Sequence, residues 1–398
     1  MKNNLYVNLT TVVFAATLIP IISFAKTETF KMKPFITAQS SKEEIAGGVK
    51  LLFKNKLSAE ELEKRIGDSQ AFQALVYDSL NSAIANNPEV QVETSEKTFR
   101  GNFVKETTIK FPSLIQRPNN HPANTMIARI YEQSVQDKNC DYKYPTTIML
   151  HHILNEVEKI EEAATYISAG VLNKPSIVVV IQMPHYAQRR LADGSENFLN
   201  SDLASFRKNM AQLILDVHLL KNYIETRPNV DTKHISLTGF SLGAVMGLTI
   251  GAFDQSFNSY GFLMGGSDMA NILMNRVTSN PDSEVAEALN NSVKNEDYIR
   301  SEIGAVDSLT WLHRYKNKET FFLNNNHDIV VKYKENVQPT LDVLKANNNQ
   351  IATRVNEGGH VPSGSAFTKF KEIFKPLNEF IMKGGADKND VCPARGGN

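Results

Sequence analysis

Apolar segments and helical patterns alternate along most of this chain. The segments TTIML, SIVVVI, ISLTGF, YGFLM and TFFLN are continuously apolar or small, which is typical of strands buried on both faces. Between the second and third segments, apolar residues from Leu203 to Ile224 recur at steps of three or four, as in an amphipathic helix. This order predicts an α/β fold with a mostly parallel central sheet and helices on both faces.

Three further segments complete the predicted architecture. Residues 40–87 carry two capping-box patterns, SKEE and SAEE, and apolar residues at helical spacing, so residues 26–90 are interpreted as a helical N-terminal extension. KTFRGNFVKETTIKF and TMIARIYEQ predict two strands that open the main domain, 91–398, as an antiparallel edge. Residues from about 267 to 312 are mainly helical, and we interpret them as a cap insertion between two strands.

The first 25 residues have the pattern of an export signal. Lys2 precedes the apolar stretch VVFAATLIPIISF, and SFA precedes Lys26 with the small-x-small spacing of a cleavage site. Cleavage after Ala25 would make the protein secreted or periplasmic. An uncleaved membrane anchor is the alternative, but the stretch is short for a spanning helix and contains Pro20. No later stretch is long and apolar enough to span a bilayer.

Charge content bears on which partners the protein can bind, and cysteine content bears on its cellular compartment. The 43 basic and 43 acidic side chains give a formal net charge of zero, so charge gives no reason to expect binding to nucleic acid or to an anionic membrane. The two cysteines, Cys140 and Cys392, predict a disulfide if the protein is exported.

One short motif carries the chemistry. Gly239-Phe-Ser241-Leu-Gly243 joins the predicted strand HISLTGF to the predicted helix LGAVMGLTIGAF. A serine on such a sharp turn needs small neighbours, and the turn exposes its hydroxyl above the sheet. The helix N-terminus offers unpaired N–H groups to a developing oxyanion. Ser241 is therefore a candidate nucleophile, and a packing turn with a passive serine is the alternative.

With this motif in this setting, the chain resembles the α/β-hydrolase superfamily over about residues 95–385. The resemblance implies an acid and then a histidine on loops after late strands. FFLNNNHDIVV supplies Asp328 and RVNEGGHVPSG supplies His360, while Asp268 in MGGSDMA is the alternative acid. His360 would take the proton of Ser241, and Asp328 would hold the imidazole in the right tautomer.

The resemblance also implies two backbone N–H donors for an oxyanion. One is Leu242, and the other is Ile153 in the loop after TTIML, with His152 as the alternative. Many members read His-Gly-x in this loop, whereas this chain reads His151-His152-Ile153. No metal is predicted there, because adjacent side chains point apart and no nearby ligand cluster completes a site. No cofactor is predicted.

The loop MPHYAQRR follows the second buried strand and borders the substrate pocket in this fold. With His152, its Tyr186, Arg189 and Arg190 are candidate substrate-binding residues that would orient a carboxylate or phosphate. For the basic pair Arg189 and Arg190, the favoured interpretation is instead a structural role in ion pairs. His218, near the apolar face of the long helix, is interpreted as a packing residue.

Together these features predict a serine hydrolase of the carboxylesterase or lipase type. It would cleave small-molecule or lipid esters through an acyl-enzyme intermediate. A serine peptidase of the same fold is one alternative. A non-catalytic binding protein on the same scaffold is another, and the unusual His151-His152 pair keeps it open. A third is a surface interaction protein that uses the N-terminal helices.

Overall fold

The computed structural model describes residues 24–53, 56–99, 102–135, 140–152, 157–172, 174–196, 198–199, 203–279, 296–360 and 366–383. Within these ranges, ten strands form one sheet in the order β1-β2-β3-β4-β6-β5-β7-β8-β9-β10. The strands are β1 (Phe24–Thr29), β2 (Glu89–Phe99), β3 (Asn102–Pro112), β4 (Thr125–Gln133), β5 (Tyr144–Leu150), β6 (Ile177–Gln182), β7 (Val230–Phe240), β8 (Ser259–Leu263), β9 (Glu319–Asn325) and β10 (Gln350–Asn356).

Strands β5 to β10 run parallel to one another, whereas β1 to β4 form an antiparallel edge that joins the parallel part through β4 and β6. The parallel strands β5 and β6 are buried at every position, as their continuous apolar sequences predict. Because parallel strands end at the same edge of a sheet, the loops after β5, β7, β9 and β10 meet at one edge.

Helices cover both faces of this sheet. They are α1 (Lys42–Leu52), α2 (Ala59–Ile66), α3 (Ser69–Ile84), α4 (Val157–Ser168), α5 (Leu203–Ile224), α6 (Leu242–Phe253), α7 (Met269–Ser279), α8 (Glu296–Ile303), α9 (Ser308–Trp311), α10 (Gln338–Ala346) and α11 (Ala366–Ile381). Buried residues of α4 and α11 form one apolar cluster, and buried residues of α1, α3, α5, α6 and α10 belong to the other. The predicted mostly parallel sheet with helices on both faces is confirmed.

The start of the chain differs from its prediction in two ways. The extension is not only helical, because β1 pairs antiparallel with β2 and adds a strand to the sheet edge. The segment predicted as one strand, KTFRGNFVKETTIKF, is a hairpin in which Phe99 of β2 pairs with Asn102 of β3. Residues 100–101 between these two strands lie outside the described residues. The antiparallel edge therefore has four strands instead of two.

The predicted cap insertion is partly core. In residues 296–312, Ile299, Ile303 and Trp311 are fully buried. The Trp311 ring lies edge-on to Phe253 of α6 at 4.8 Å between centroids. This part packs into the helical layer behind the sheet because its apolar side chains face α6 and the N-terminal helices. Residues 280–295 of the insertion lie outside the described residues.

Predictions about export and the disulfide stay predictions. Residues 1–23 lie outside the described residues, and the expected cleavage after Ala25 falls within β1. Cys140 is not a free thiol, but its expected partner Cys392 lies outside the described residues. None of the helices in the described ranges is long and apolar enough to cross a membrane.

Candidate active site

Ser241 lies on a tight turn between β7 and α6. Its backbone angles are φ 52° and ψ −117°, in a region that side chains rarely adopt. The turn is held in place because the Ser241 N–H donates to the Leu263 carbonyl of the next strand at 2.8 Å. Its carbonyl accepts from Ala244 and Val245 in the first turn of α6. Such a rare conformation, kept in place by hydrogen bonds, is typical of functional sites.

The two glycines of the motif are required by close packing. A Cβ at Gly239 would lie 2.2 Å from the carbonyl oxygen of Gly243. A Cβ at Gly243 would lie 2.5 Å from the carbonyl oxygens of both Leu150 and His151. The turn therefore fits only if both positions lack a side chain, and this packing brings the loop after β5 against Ser241.

The structure brings Ser241, His360 and Asp328 into one hydrogen-bonded chain. The Ser241 Oγ lies 2.7 Å from Nε2 of His360, and Nδ1 of His360 lies 2.7 Å from Oδ2 of Asp328. The other Asp328 oxygen accepts from the amides of Val330 and Val331 at 2.8 Å each. The Asp328 side chain is fully buried, and that of His360 is 16% exposed. This arrangement orients the imidazole and leaves its Nε2 facing the serine hydroxyl.

Backbone contacts between two loops position the acid and the histidine. Asp328 follows β9 and His360 follows β10, and these strands are parallel neighbours. The His327 amide donates to the Gly358 carbonyl at 3.0 Å, and the Asn325 side-chain amide donates to the Gly359 carbonyl at 2.6 Å. Gly358 has φ 146°, which favours glycine. The GG pair thus lets the second loop turn back toward the first.

The alternative acid, Asp268, has other partners. Its Oδ1 lies 2.5 Å from Arg300 and its Oδ2 lies 3.5 Å from Arg65. The neighbouring Asp307 caps α9 through the Leu309 amide and also accepts from the Met269 amide at 2.7 Å. Burial and the nearby Asp268 raise the pKa of Asp307 to about 6. These two aspartates join the insertion to the rest of the core, and the acid hydrogen-bonded to His360 is Asp328.

Of the two expected oxyanion donors, the structure describes only Leu242. Leu242 is the first residue of α6, so its N–H is among the amides without an acceptor inside the helix. Ile153, the other expected donor, lies outside the described residues. His152 is half-buried, with its ring 5.8 Å from that of Phe240.

His151 supports the loop beside Ser241. Its Nε2 accepts from the Met183 amide at 3.1 Å, so the proton sits on Nδ1, which donates to the His152 carbonyl at 2.7 Å. Burial lowers the pKa of His151 to about 3, so this fully buried ring is neutral. Both ring nitrogens are thus used in backbone contacts, which fix the path of the chain directly after β5.

The two arginines of MPHYAQRR have different surroundings. Arg189 is fully buried, pairs with Asp216 at 2.7 Å, and donates to the Ala123 carbonyl at 2.8 Å. Arg189 is therefore a structural residue, as the favoured interpretation had it. The Arg190 guanidinium packs beside Gly194. Tyr186 is buried, with its ring edge-on to His151 at 4.8 Å.

One cluster was missed by the sequence analysis. His121, His185 and Glu196 converge beside a cavity of about 340 Å³ between the loop before β4, the loop after β6 and α5. His121 is far from the other two in sequence, and His185 and Glu196 follow no recognised metal-ligand spacing, so no local signal marks the cluster.

Solved structures of other proteins share this architecture. The chain has the α/β-hydrolase fold. Acetyl xylan esterase 1 from a Thermoanaerobacterium species matches with a TM-score of 0.52 and 16% identity, over 81% of this chain and 99% of that chain. Acetyl xylan esterase from a Paenibacillus species matches with a TM-score of 0.54 and 13% identity, over 84% of this chain and 98% of that chain. No family model matches the sequence, and no curated protein matches it. At such identities the likeness shows the fold alone.

Proposed function

We propose that this protein is a serine hydrolase that cleaves carboxylic esters through an acyl-enzyme intermediate. Ser241 is the nucleophile, His360 the general base and acid, and Asp328 the group that orients His360. The observation that carries the proposal is the continuous chain from Ser241 Oγ through His360 to Asp328, with 2.7 Å at both contacts. Both distances lie within the hydrogen-bond reach that nucleophile activation needs.

The first half of the reaction forms the acyl-enzyme. His360 Nε2 takes the proton of Ser241 as Oγ bonds to the ester carbonyl carbon, and Asp328 stabilises the resulting imidazolium. The negative charge moves to the carbonyl oxygen, where the Leu242 N–H, together with Ile153 as the proposed second donor, stabilises it. His360 then gives the proton to the alcohol oxygen as the carbon–oxygen bond breaks.

The second half releases the acid. A water molecule gives a proton to His360 and attacks the acyl carbon, and the returning proton regenerates the Ser241 hydroxyl as the acid leaves. Because Ser241 is 9% exposed, the reacting carbonyl must reach a recessed hydroxyl. The two similar structures carry the name acetyl xylan esterase, so acetyl esters are the first substrates to test.

The test is hydrolysis of p-nitrophenyl esters of graded chain length by the parent protein and by Ser241→Ala. We expect turnover in the parent and a loss on the order of 10⁶-fold in kcat in the variant. Ser301→Ala is the matched control, because Ser301 is a serine whose hydroxyl bonds only the Tyr298 carbonyl among the described contacts. Turnover that survives in Ser241→Ala, or a folded parent without esterase activity, would contradict the proposal and favour the binding-protein alternative.

We also propose that the protein is exported and that Cys140 pairs with Cys392. The signal-like pattern before Lys26 and the even cysteine count support both points. Mass analysis of protein recovered from cells tests them together. We expect an N-terminus at Lys26 and no alkylated cysteine without reductant. An intact Met1 and two alkylatable thiols in the native protein would contradict them.

A further inference from the structure

We propose that His121, His185 and Glu196 bind a divalent transition-metal ion, with zinc as the best chemical match. This site lies apart from the triad and goes beyond the proposed esterase activity. His121 caps the short 3₁₀ turn Pro122–Asn124, His185 follows β6, and Glu196 lies in the loop that leads to α5. The loop before β4 thus contributes one ligand, and the connection between β6 and α5 contributes two.

The spacing of the three ligand atoms suits one ion. Glu196 Oε2 lies 3.2 Å from His121 Nε2 and 3.5 Å from His185 Nδ1, and all three atoms lie within 4.8 Å of one another. Tetrahedral zinc with bonds near 2.0–2.1 Å places its ligand atoms roughly 3.4 Å apart. Two imidazoles and one carboxylate form a set of ligands that zinc accepts.

The two imidazole atoms that face the carboxylate make no well-formed hydrogen bond. His121 is 9% exposed and its Nε2 has only the 3.2 Å approach to Glu196, whereas His185 is 3% exposed and its Nδ1 has no hydrogen-bond partner. Buried polar atoms in native proteins are almost always satisfied, and an ion is one explanation for an exception. One ion between these atoms would satisfy both nitrogens and the carboxylate.

The His185 ring is already in the tautomer that a metal requires. Its Nε2 lies 3.0 Å from Oδ1 of Asn209, and the Asn209 amide nitrogen donates to the Phe198 carbonyl, which fixes the amide orientation. Nε2 therefore carries the proton, and Nδ1 keeps its lone pair toward Glu196. A partner on the outer nitrogen is the usual support for a metal-bound histidine.

His121 has to change one contact to bind the metal. Its Nδ1 accepts from the Ala123 amide at 3.0 Å, which leaves the proton on Nε2. Metal binding at Nε2 moves that proton to Nδ1, so the contact with Ala123 must lengthen. Arg117 and Lys208 line the same cavity, and their positive charges repel a cation there. The three protein ligands leave the fourth coordination position open, and these charges favour water or an anionic ligand in it.

The metal would stabilise the loop that supports the active site. His185 lies two residues after Met183, whose amide bonds His151 beside the serine turn. Linking His185 to His121 and Glu196 restrains this loop at a second point. The expected effect is therefore on stability and loop order, with no part in the proton transfers of Ser241.

The test is zinc binding to the full chain after dialysis against a chelator. Calorimetric titration with ZnCl₂ should give one ion per chain, and ZnCl₂ should raise Tm. In His185→Ala and in Glu196→Gln we expect affinity to fall at least about 100-fold, because loss of a partner that only supports a ligand already costs about 10–100-fold. Glu196→Gln keeps the side-chain shape, so it covers the case in which His185→Ala does not fold.

Control variants separate this site from other histidines and from catalysis. His327→Ala removes a histidine that pairs with Glu357 at 3.0 Å on the exposed surface, and it should bind zinc as the parent does. Ser241→Ala should also bind zinc normally, so failure of the esterase proposal would leave this one standing. Absence of zinc binding in the parent would overturn the proposal. So would unchanged binding in both ligand variants, or an apo protein stabilised by inorganic phosphate and not by zinc.

Discussion

Two histidine–aspartate pairs in this molecule have the same geometry and different surroundings. His360 Nδ1 lies 2.7 Å from Asp328, and His218 Nδ1 lies 2.7 Å from Asp254. In both pairs the aspartate is fully buried. The His360 side chain is 16% exposed, whereas that of His218 is 3% exposed and lies in α5 against the N-terminal segment. A pair of this kind therefore does not mark an active site by itself.

The third partner decides what each pair can do. His360 Nε2 faces the Ser241 hydroxyl, which can give up a proton, so this ring can act as a base. His218 Nε2 lies 2.7 Å from the Lys33 carbonyl, which only accepts. His218 must donate from both nitrogens, to Asp254 and to Lys33, and so it joins the N-terminal segment to α5 and to the end of α6. In the proposed function one pair serves proton transfer, and the other holds two parts of the chain together.

The sharpest way to separate the pairs is to neutralise each aspartate. Asp328→Asn should lower kcat for ester hydrolysis by about 10⁴-fold with little change in Tm, because the amide no longer holds the required tautomer of His360. Steady-state kinetics and thermal unfolding of the same samples measure this. Asp268→Asn, the alternative acid, is the control and should keep kcat within about tenfold. A loss in Asp268→Asn as large as that in Asp328→Asn would contradict the assignment.

The structural pair should respond in the opposite way. Asp254→Asn leaves a buried imidazole without its anionic partner and should cost about 3–5 kcal/mol of the free energy of unfolding. The folded variant should keep kcat within about twofold, since neither residue touches Ser241 or His360 in the described contacts. Urea unfolding and kinetics below the transition check both parts. A catalytic loss without a stability loss would mean that the roles of the two pairs have been confused.

Acid should also weaken the structural pair over a defined pH range. Burial acts to raise the pKa of Asp254, but His218, Lys221 and the Ser256 hydroxyl together lower it to about 2 from the ordinary 3.8. A lowered carboxyl pKa gives stability that is present above about pH 4 and is lost as the pH falls toward 2. The contribution is on the order of 2 kcal/mol. Urea unfolding from pH 6 to pH 2.5 should show the gap between parent and Asp254→Asn shrinking, and a constant gap would refute the link.

A third histidine–carboxylate pair, on the surface, should contribute least to stability. His327 and Glu357 lie 3.0 Å apart and are 71% and 78% exposed. Exposed ion pairs contribute little because water and salt screen them. His327→Ala should therefore leave Tm unchanged within error, although its loop also leads to the active site. A Tm drop comparable to that of Asp254→Asn would show that this contact is more than a surface pair.

The catalytic candidates were predictable because their signals are local. Gly239, Ser241 and Gly243 lie in five residues between a strand and a helix, and close packing explains both glycines. Asp328 and His360 could be placed because each follows a recognisable strand in the expected order. The parallel sheet was predictable for the same reason, since each of its strands is a short apolar segment bounded by turn residues.

Other features depend on contacts between distant segments. The strand β1 has the sequence FAKTET, whose polar residues give no strand signal, and it forms only because β2 offers a free edge. Residues 267–312 were interpreted as a cap because nothing in the sequence indicates that Trp311 packs against Phe253. His121, His185 and Glu196 meet only when the loop before β4 and the connection between β6 and α5 have been placed by the sheet and α5. Such sites become visible in the folded chain and not in its local patterns.

The central claim is that His360 activates Ser241. The most direct measurement is the rate at which a fluorophosphonate probe labels the parent, His360→Ala and His327→Ala, with the labelled peptide identified by mass spectrometry. The account predicts labelling at Ser241 in the parent and in His327→Ala, and a rate at least about 1,000-fold lower in His360→Ala. Equal labelling of folded parent and His360→Ala, or labelling at another serine, would contradict it.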